Sequence, residues 1–437
     1  MALNKPHGDI VIVGAGPAGC ATALALAHQG ACVLMIESDE RPSQRLAGEW
    51  LHPPGVKILH QLGVDLSATG CVPGSGFVVF PDDGSPAITL PYAHGGTGLS
   101  FAHSALVQAL RETVAAHPRI TLSADKHVTA VDHGTVTYTD RRTQQVGQVS
   151  AEAIIGADGR SSRLRQAFTG TAGSKRLSRM VGVCMDAQLP HEGYGHIFLG
   201  GPGPILAYRL NERTVRLCVD IPLTARPTNL ADYIDRRYAM ALPPHLSHAL
   251  AGQLNRGALT WAANQFQARL RYTQGPYALV GDAVGHFHPM TAAGLTLALM
   301  DGECLARSAS WAAYERERAS RSRVPEMLAN ALYTVFTSDG PADRALRHAV
   351  YELWRRDPIE RDRTMRLLST EETHRGQFTA AFLHVAGVAV SRLARQALVD
   401  RQVGNVFHTV RELAEWLPWL GGLTDRGWPA SLPGRGR

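Results

Sequence analysis

Gly14-x-Gly16-x-x-Gly19 stands between an apolar run, Asp9–Val13, and an alanine-rich stretch, Cys20–Gln29. The first glycine permits a tight turn, the second lets the backbone approach a phosphate, and the third allows helix to pack closely on strand. The following helix offers N–H groups and a positive dipole to the same anion. Glu37 closes the next apolar run, Ala31–Ile36, where a carboxylate accepts hydrogen bonds from a ribose. Strand, turn, helix, strand and acid in this order make a dinucleotide-binding unit. FAD and NAD both remain open.

Two later turns, Gly156-Ala157-Asp158-Gly159 and Gly281-Asp282-Ala283, each end an apolar run. Nucleophilic catalysis has no sign here, because the chain contains no G-x-S-x-G. His286-x-His288 lacks the further ligands that a metal site needs. Asp158 and Asp282 sit in turn motifs rather than as an acid/base pair. We therefore expect no side-chain acid or base in catalysis and no metal.

The elements that must position these turns read as follows. Ser104–His117 is a helix, Ile120–His133 strands, Thr135–Val149 a hairpin and Ala153–Ala157 a buried strand. Alternating runs from Met180 to Pro222 (His196–Leu199, Ile205–Leu210, Val215–Ile221) predict an antiparallel sheet. Tyr277–Val280 is a strand entering the third turn. Beyond Ala293 the pattern is helical to about Trp419, with breaks at Gly340-Pro341 and Asp357-Pro358. The fold class is α/β: a Rossmann-type nucleotide-binding domain interleaved with an antiparallel β substrate domain, plus a helical C-terminal region. We expect nucleotide-binding segments at 1–80, 104–175 and 271–306. Substrate-domain segments fall at 81–103 and 176–270, a helical region at 307–424 and a disordered tail at 425–437.

Composition narrows the classes. The chain has 437 residues, 45% hydrophobic and 19% charged, enough for a large core. Net charge is +6, but no Lys/Arg block of five appears, so nucleic acid is not an expected partner. Six scattered cysteines without C-x-x-C predict reduced, mostly buried thiols in a cytoplasmic protein. Met1–Gly8 has no signal-peptide layout. The best apolar stretch, Ala380–Val390, falls short of the ~20 residues that span a bilayer.

The three turns in this order resemble the FAD-dependent aromatic hydroxylase class of flavoprotein monooxygenases, known as group A. That resemblance implies FAD, with Asp282 at the ribityl and pyrophosphate part and Asp158 supporting the same region. A closer likeness lies in Arg45-Leu46-Ala47-Gly48-Glu49-Trp50-Leu51-His52-Pro53-Pro54-Gly55, similar to the R-x-x-G-E-x-L-x-P-x-G segment of squalene monooxygenases. His288-Pro289-Met290-Thr291-Ala292-Ala293-Gly294-Leu295-Thr296-Leu297-Ala298-Leu299-Met300-Asp301 resembles that family's H-P-x-T-G-G-G-x-T-x-A-L-x-D at the same spacing. Leu90-Pro91-Tyr92, Ser100-Phe101, Pro204–Tyr208 and Leu328–Tyr333 extend the likeness into the C-terminal helices.

The family resemblance implies an FAD-dependent monooxygenase using O₂ and electrons from NAD(P)H, received directly or through a separate flavin reductase. It puts Arg45 beside the FAD, and Pro289 with the Thr291, Ala292, Ala293 and Gly294 backbone against the isoalloxazine. Pro289 and Gly294 are then the flavin-side positions nearest the chemistry. Tyr92, Tyr208 and His288 are implied at the substrate pocket. The expected reaction is epoxidation or hydroxylation through a flavin C4a-hydroperoxide. Ala292-Ala293 replace two family glycines, and Gly285-His286-Phe287 departs from the family stretch. We therefore expect a prenyl or prenylated aromatic substrate in specialised-metabolite biosynthesis, ahead of squalene epoxidation proper or a flavin-dependent prenyl reductase. Phe382–Leu398 and Val406–Leu420, with Phe407, Trp416 and Trp419, are candidate helices for peripheral membrane contact, with packing on the domain slightly favoured.

Overall fold

The computed structural model describes residues 10–169, 174–400 and 403–421. Met1–Gly8, the 425–437 tail and the Phe407 side chain lie outside the described residues.

Ile10–Val13 is buried at every position, as a strand covered on both faces must be. It pairs in parallel with Val33–Ile36 and with Ala153–Gly156. Ile120–Ser123 and Tyr277–Leu279 extend this sheet, and Thr273–Gln274 adds an antiparallel edge to make six strands. Gly16 caps the helix Pro17–His28, whose Pro17 sits where the missing N–H costs nothing. That helix packs on Ala293–Arg307. The three turns thus end parallel strands at one edge of one sheet, where such folds bind nucleotides.

The second sheet has seven strands in the order 259–266, 175–186, 214–222, 205–209, 195–198, 76–80 and 88–91. It is antiparallel except for the parallel pair Gly195–Phe198 with Gly76–Phe80. The sheet pairing puts Gly76–Phe80 here, so the chain crosses over before residue 76, ahead of the expected boundary at 81. One face is covered by the helices Leu230–Tyr238 and Pro244–Arg256, through Ile234, Tyr238, Leu246, Leu250 and Leu254. The other face joins a core with Trp50, Tyr92 and the helices beyond Val324.

Those helices include Arg323–Thr337, Pro341–Arg356, Pro358–Leu368 and Arg375–Asp400. Asp357 caps the third by accepting from the Ile359 and Glu360 N–H groups. The apolar run 380–390 proves to be the middle of a longer helix. Residues 375–395 carry charge only near their ends and are long and apolar enough to cross a membrane, with 11% of their most apolar stretch buried. Trp416 and Trp419 do not face outward: both are buried, packed edge to face with each other and against Phe382. Among the described residues, Leu383, Val390 and Leu417 are exposed apolar side chains toward the C-terminus, and Ile359 is exposed on Pro358–Leu368. The cysteines divide evenly. Cys20, Cys218 and Cys304 are buried, whereas Cys71 is half-buried and Cys32 and Cys184 are exposed.

Candidate FAD site and its surroundings

Gly14 has φ +103, and a Cβ there would sit 2.5 Å from the Ala157 carbonyl oxygen. A Cβ at Gly19 would sit 2.0 Å from the Gly14 oxygen, so these two glycines let three backbone segments touch. Gly16 and Gly294 differ: a Cβ at either meets nothing within 4 Å. Gly16 caps one helix and Gly294 lies in the first turn of another, and the two helices pack together. A cavity of about 520 Å³ is lined by Gly14, Gly16, Glu37, Arg45, His103, Asp158 and Ser161, among others. A closed glycine turn, open backbone at the N-terminus of Pro17–His28 and the basic side chains of Arg41, Arg45 and Arg163 in the cavity wall suit the pyrophosphate of FAD.

The acids have defined partners. Glu37 accepts from the N–H of Ala15 (2.6 Å) and of Asp39 (3.0 Å) and pairs with Arg111 at 3.2 Å. Arg111 also donates to the carbonyls of Ala15, Asp39 and Glu40, which fixes the glycine turn against the second strand. Asp158 accepts from the Arg163 N–H at 2.9 Å, and burial raises its pKa above the ordinary carboxylate value. Burial also opposes ionisation of Asp282, but Arg160, 3.1 Å away, together with His286 and Arg269 outweighs it and holds that carboxyl low. Asp282 thus enters the site already paired to Arg160.

The Gly281 turn has its own clamp. Asp301, fully buried, accepts from the Gly281 N–H (2.8 Å), from Arg318 Nε (2.7 Å) and from Arg269. Arg269 donates in turn to the carbonyls of Gly281 and Gly285. Its own N–H donates to Glu326, a carboxyl that burial raises to about 7. Arg111, Arg269 and Arg318 escaped the sequence reading. Each lies on an element remote from the turn it holds, and a lone arginine carries no local pattern.

On the far side stands Pro289–Thr291, followed by Ala292 at φ +52. Left-handed backbone strains alanine and suits glycine, so Ala292 holds a turn shaped for the residue it replaces. His52 Nε2 lies 2.8 Å from the Thr291 carbonyl. Since a carbonyl only accepts, that nitrogen carries the proton. Burial, only partly offset by this bond, lowers the His52 pKa to about 4 and keeps the ring neutral near pH 7. Nδ1 therefore accepts from the Tyr92 hydroxyl (2.7 Å), which accepts from the Trp50 indole N–H (2.8 Å). The Tyr92 hydroxyl is thus spent on orienting His52 rather than presented to a pocket.

The other two expected pocket residues are similarly engaged. Tyr208 donates to Glu49 at 3.0 Å, and Glu49 is held by both ends of the Arg216 guanidinium at 2.9 Å. His288 is fully buried, with Nε2 2.7 Å from Asp220 and its ring stacked on Tyr333 at 3.8 Å. Ser178 and Asn264 donate to the same Asp220 oxygen. None of the three lines the 520 Å³ cavity. That cavity joins Gly14, Gly16, Glu37, Arg45 and Asp158. Pro289, Thr291, Ala292, Ala293 and Gly294 form a separate turn nearby, tied to His52.

The family described as FAD binding domain matches residues 7–325. The chain is 28% identical to the squalene epoxidase of Aspergillus fumigatus, over 80% of this chain and 79% of that one. It is 26% identical to the squalene monooxygenase of Mus musculus, over 78% of this chain, and spans 64% of the mouse protein's length. In three dimensions it resembles p-nitrophenol 4-monooxygenase PnpA from Pseudomonas putida DLL-E4, at TM-score 0.69 and 19% identity over 82% of this chain and 98% of that one. With its glycine cradle at the end of a mostly parallel sheet, the chain belongs to the FAD binding domain family, on the squalene monooxygenase-like side of the FAD-dependent monooxygenases.

Proposed function

We propose that this enzyme epoxidises or hydroxylates a lipophilic prenyl or prenylated aromatic substrate, in specialised-metabolite biosynthesis. The observation that carries the reading is the pair of open helix N-termini, Gly16 and Gly294, beside a glycine turn closed to any side chain. The first helix and Arg45 bind the pyrophosphate. The second, entered through Pro289–Ala292, would offer its positive end to the flavin and so favour negative charge there. Bound FAD supplies the redox chemistry that transfers one oxygen atom from O₂. NAD(P)H provides the electrons, directly or through a separate reductase. The buried cluster of Trp50, Phe77, Tyr92, Met290 and Tyr333 keeps water from the reacting centre.

A second reading, squalene itself, is favoured by the names of the two relatives above. We also propose a cytoplasmic protein that touches a membrane through Leu383, Val390 and Leu417, from which a greasy substrate enters. We further propose that nucleotide-binding and substrate segments alternate along the chain, the first substrate segment taking in the strand Gly76–Phe80, which pairs in the seven-stranded sheet.

The test is product mass after incubating FAD-loaded protein with NAD(P)H, a flavodoxin-type reductase and O₂. One vessel holds squalene and the other a panel of prenylated aromatics. A product heavier by one oxygen supports the reading and picks the substrate branch. Coenzyme oxidised with a double bond reduced and no oxygen gained would overturn it in favour of a prenyl reductase.

A further inference from the structure

Buried polar groups in a folded protein almost always find partners, and a cluster of those that do not calls for a bound water, ion or ligand. Among the described residues, four such groups belong to two packed segments. The Thr291 hydroxyl and His288 Nδ1 lie at the His288–Thr291 turn, and the Thr334 hydroxyl and both amide atoms of Asn330 lie on the helix Arg323–Thr337. None of the four residues exceeds 2% exposure, and none of these atoms has a protein partner. The helix packs directly on the turn, and Tyr333, stacked on His288, stands between Asn330 and Thr334 in sequence. Asn330 and Thr334 are one helical turn apart and share a face.

A hydrocarbon bound beside Pro289 would leave all four groups desolvated and unpaired. A ring hydroxyl at this contact would pair with the Asn330 amide, since an amide both donates and accepts and a phenol does the same. We propose that the substrate carries a hydrogen-bonding head, a hydroxyl on the prenylated ring, and that Asn330 with Thr334 and Thr291 selects it. The proposal rests on the monooxygenase reading above and narrows its substrate class.

The experiment uses two probes, a farnesylated phenol and farnesylbenzene, identical but for one hydroxyl. Each is titrated into FAD-loaded protein and binding is read from the change in flavin absorbance. Wild type should bind the phenol at least tenfold more tightly. Asn330→Leu should lose about that factor for the phenol and leave farnesylbenzene unchanged or tighter. Thr334→Val, a nearly isosteric change, should move the ratio in the same direction should Asn330→Leu fail to take up flavin. Equal affinities in wild type, or variants that weaken both probes in the same proportion, would overturn the proposal and leave the four groups to bound water. Discrimination that persists without any oxygen entering the phenol would keep the selecting site and remove the reaction assigned to it.

Discussion

Glu326 shows how a single buried side chain ties pH to the site. Its carboxyl accepts the Arg269 N–H at 3.2 Å, while Arg269 holds Gly281 and Gly285. Burial raises its pKa to about 7 against an ordinary 4.5, so the folded protein retains a proton that the unfolded chain has released. The Glu326 contribution to stability therefore falls as pH rises from 4.5 to 7 and is flat above that. Glu326→Gln keeps an acceptor for Arg269 and removes the ionisation. Its advantage over wild type should be absent at pH 4.5 and grow to roughly 1–3 kcal/mol by pH 8. Thermal melts across that range check it, and parallel curves would contradict it. Sequence reading could not have found Glu326, because burial, not residue type, displaces its pKa. Gly14, Gly16 and Gly19 were legible for the opposite reason: backbone approach demands glycine whatever surrounds it. Tyr92, Tyr208 and His288 were legible as positions, but not the partners that engage their polar atoms. Those partners, His52, Glu49 and Asp220, come from segments up to 159 residues away.

At the scale of elements, the first glycine turn is the rigid part of the account. A side chain at position 14 would collide with the Ala157 carbonyl and would have to adopt φ +103. Gly14→Val should therefore purify with less than a tenth of the wild-type flavin, read from absorbance at 450 nm against protein. Full yellow occupancy would remove the pyrophosphate from this turn. The parallel strands and the C-terminal helices could be read from the sequence because apolar runs and capping prolines are local signals. The helices Leu230–Tyr238 and Pro244–Arg256 were not, since their pattern sits in an insertion read only for its strands. The crossing before residue 76 was also hidden. Gly76–Phe80 looks like any apolar strand, and only its pairing with Gly195–Phe198 assigns it to a sheet.

For the whole molecule, the two sheets share one chain that crosses between them several times, so cofactor and substrate elements cannot separate as independent units. The C-terminal helices close the second body: Phe378, Trp416 and Trp419 are within its core. Deleting them would expose that core, so membrane contact is better tested on the outward side chains. Leu383→Glu with Leu417→Glu should reduce flotation with liposomes severalfold while flavin content stays constant. Equal flotation of both proteins, or of neither, would end the membrane reading.

The central claim is that one atom of O₂ enters a lipophilic product. It is tested most directly by turning over FAD-loaded protein under ¹⁸O₂ with NAD(P)H, a reductase and the prenylated substrates. The account predicts a product carrying one ¹⁸O, formed in step with coenzyme oxidation. Coenzyme consumed with a reduced double bond and no label in any product would contradict it.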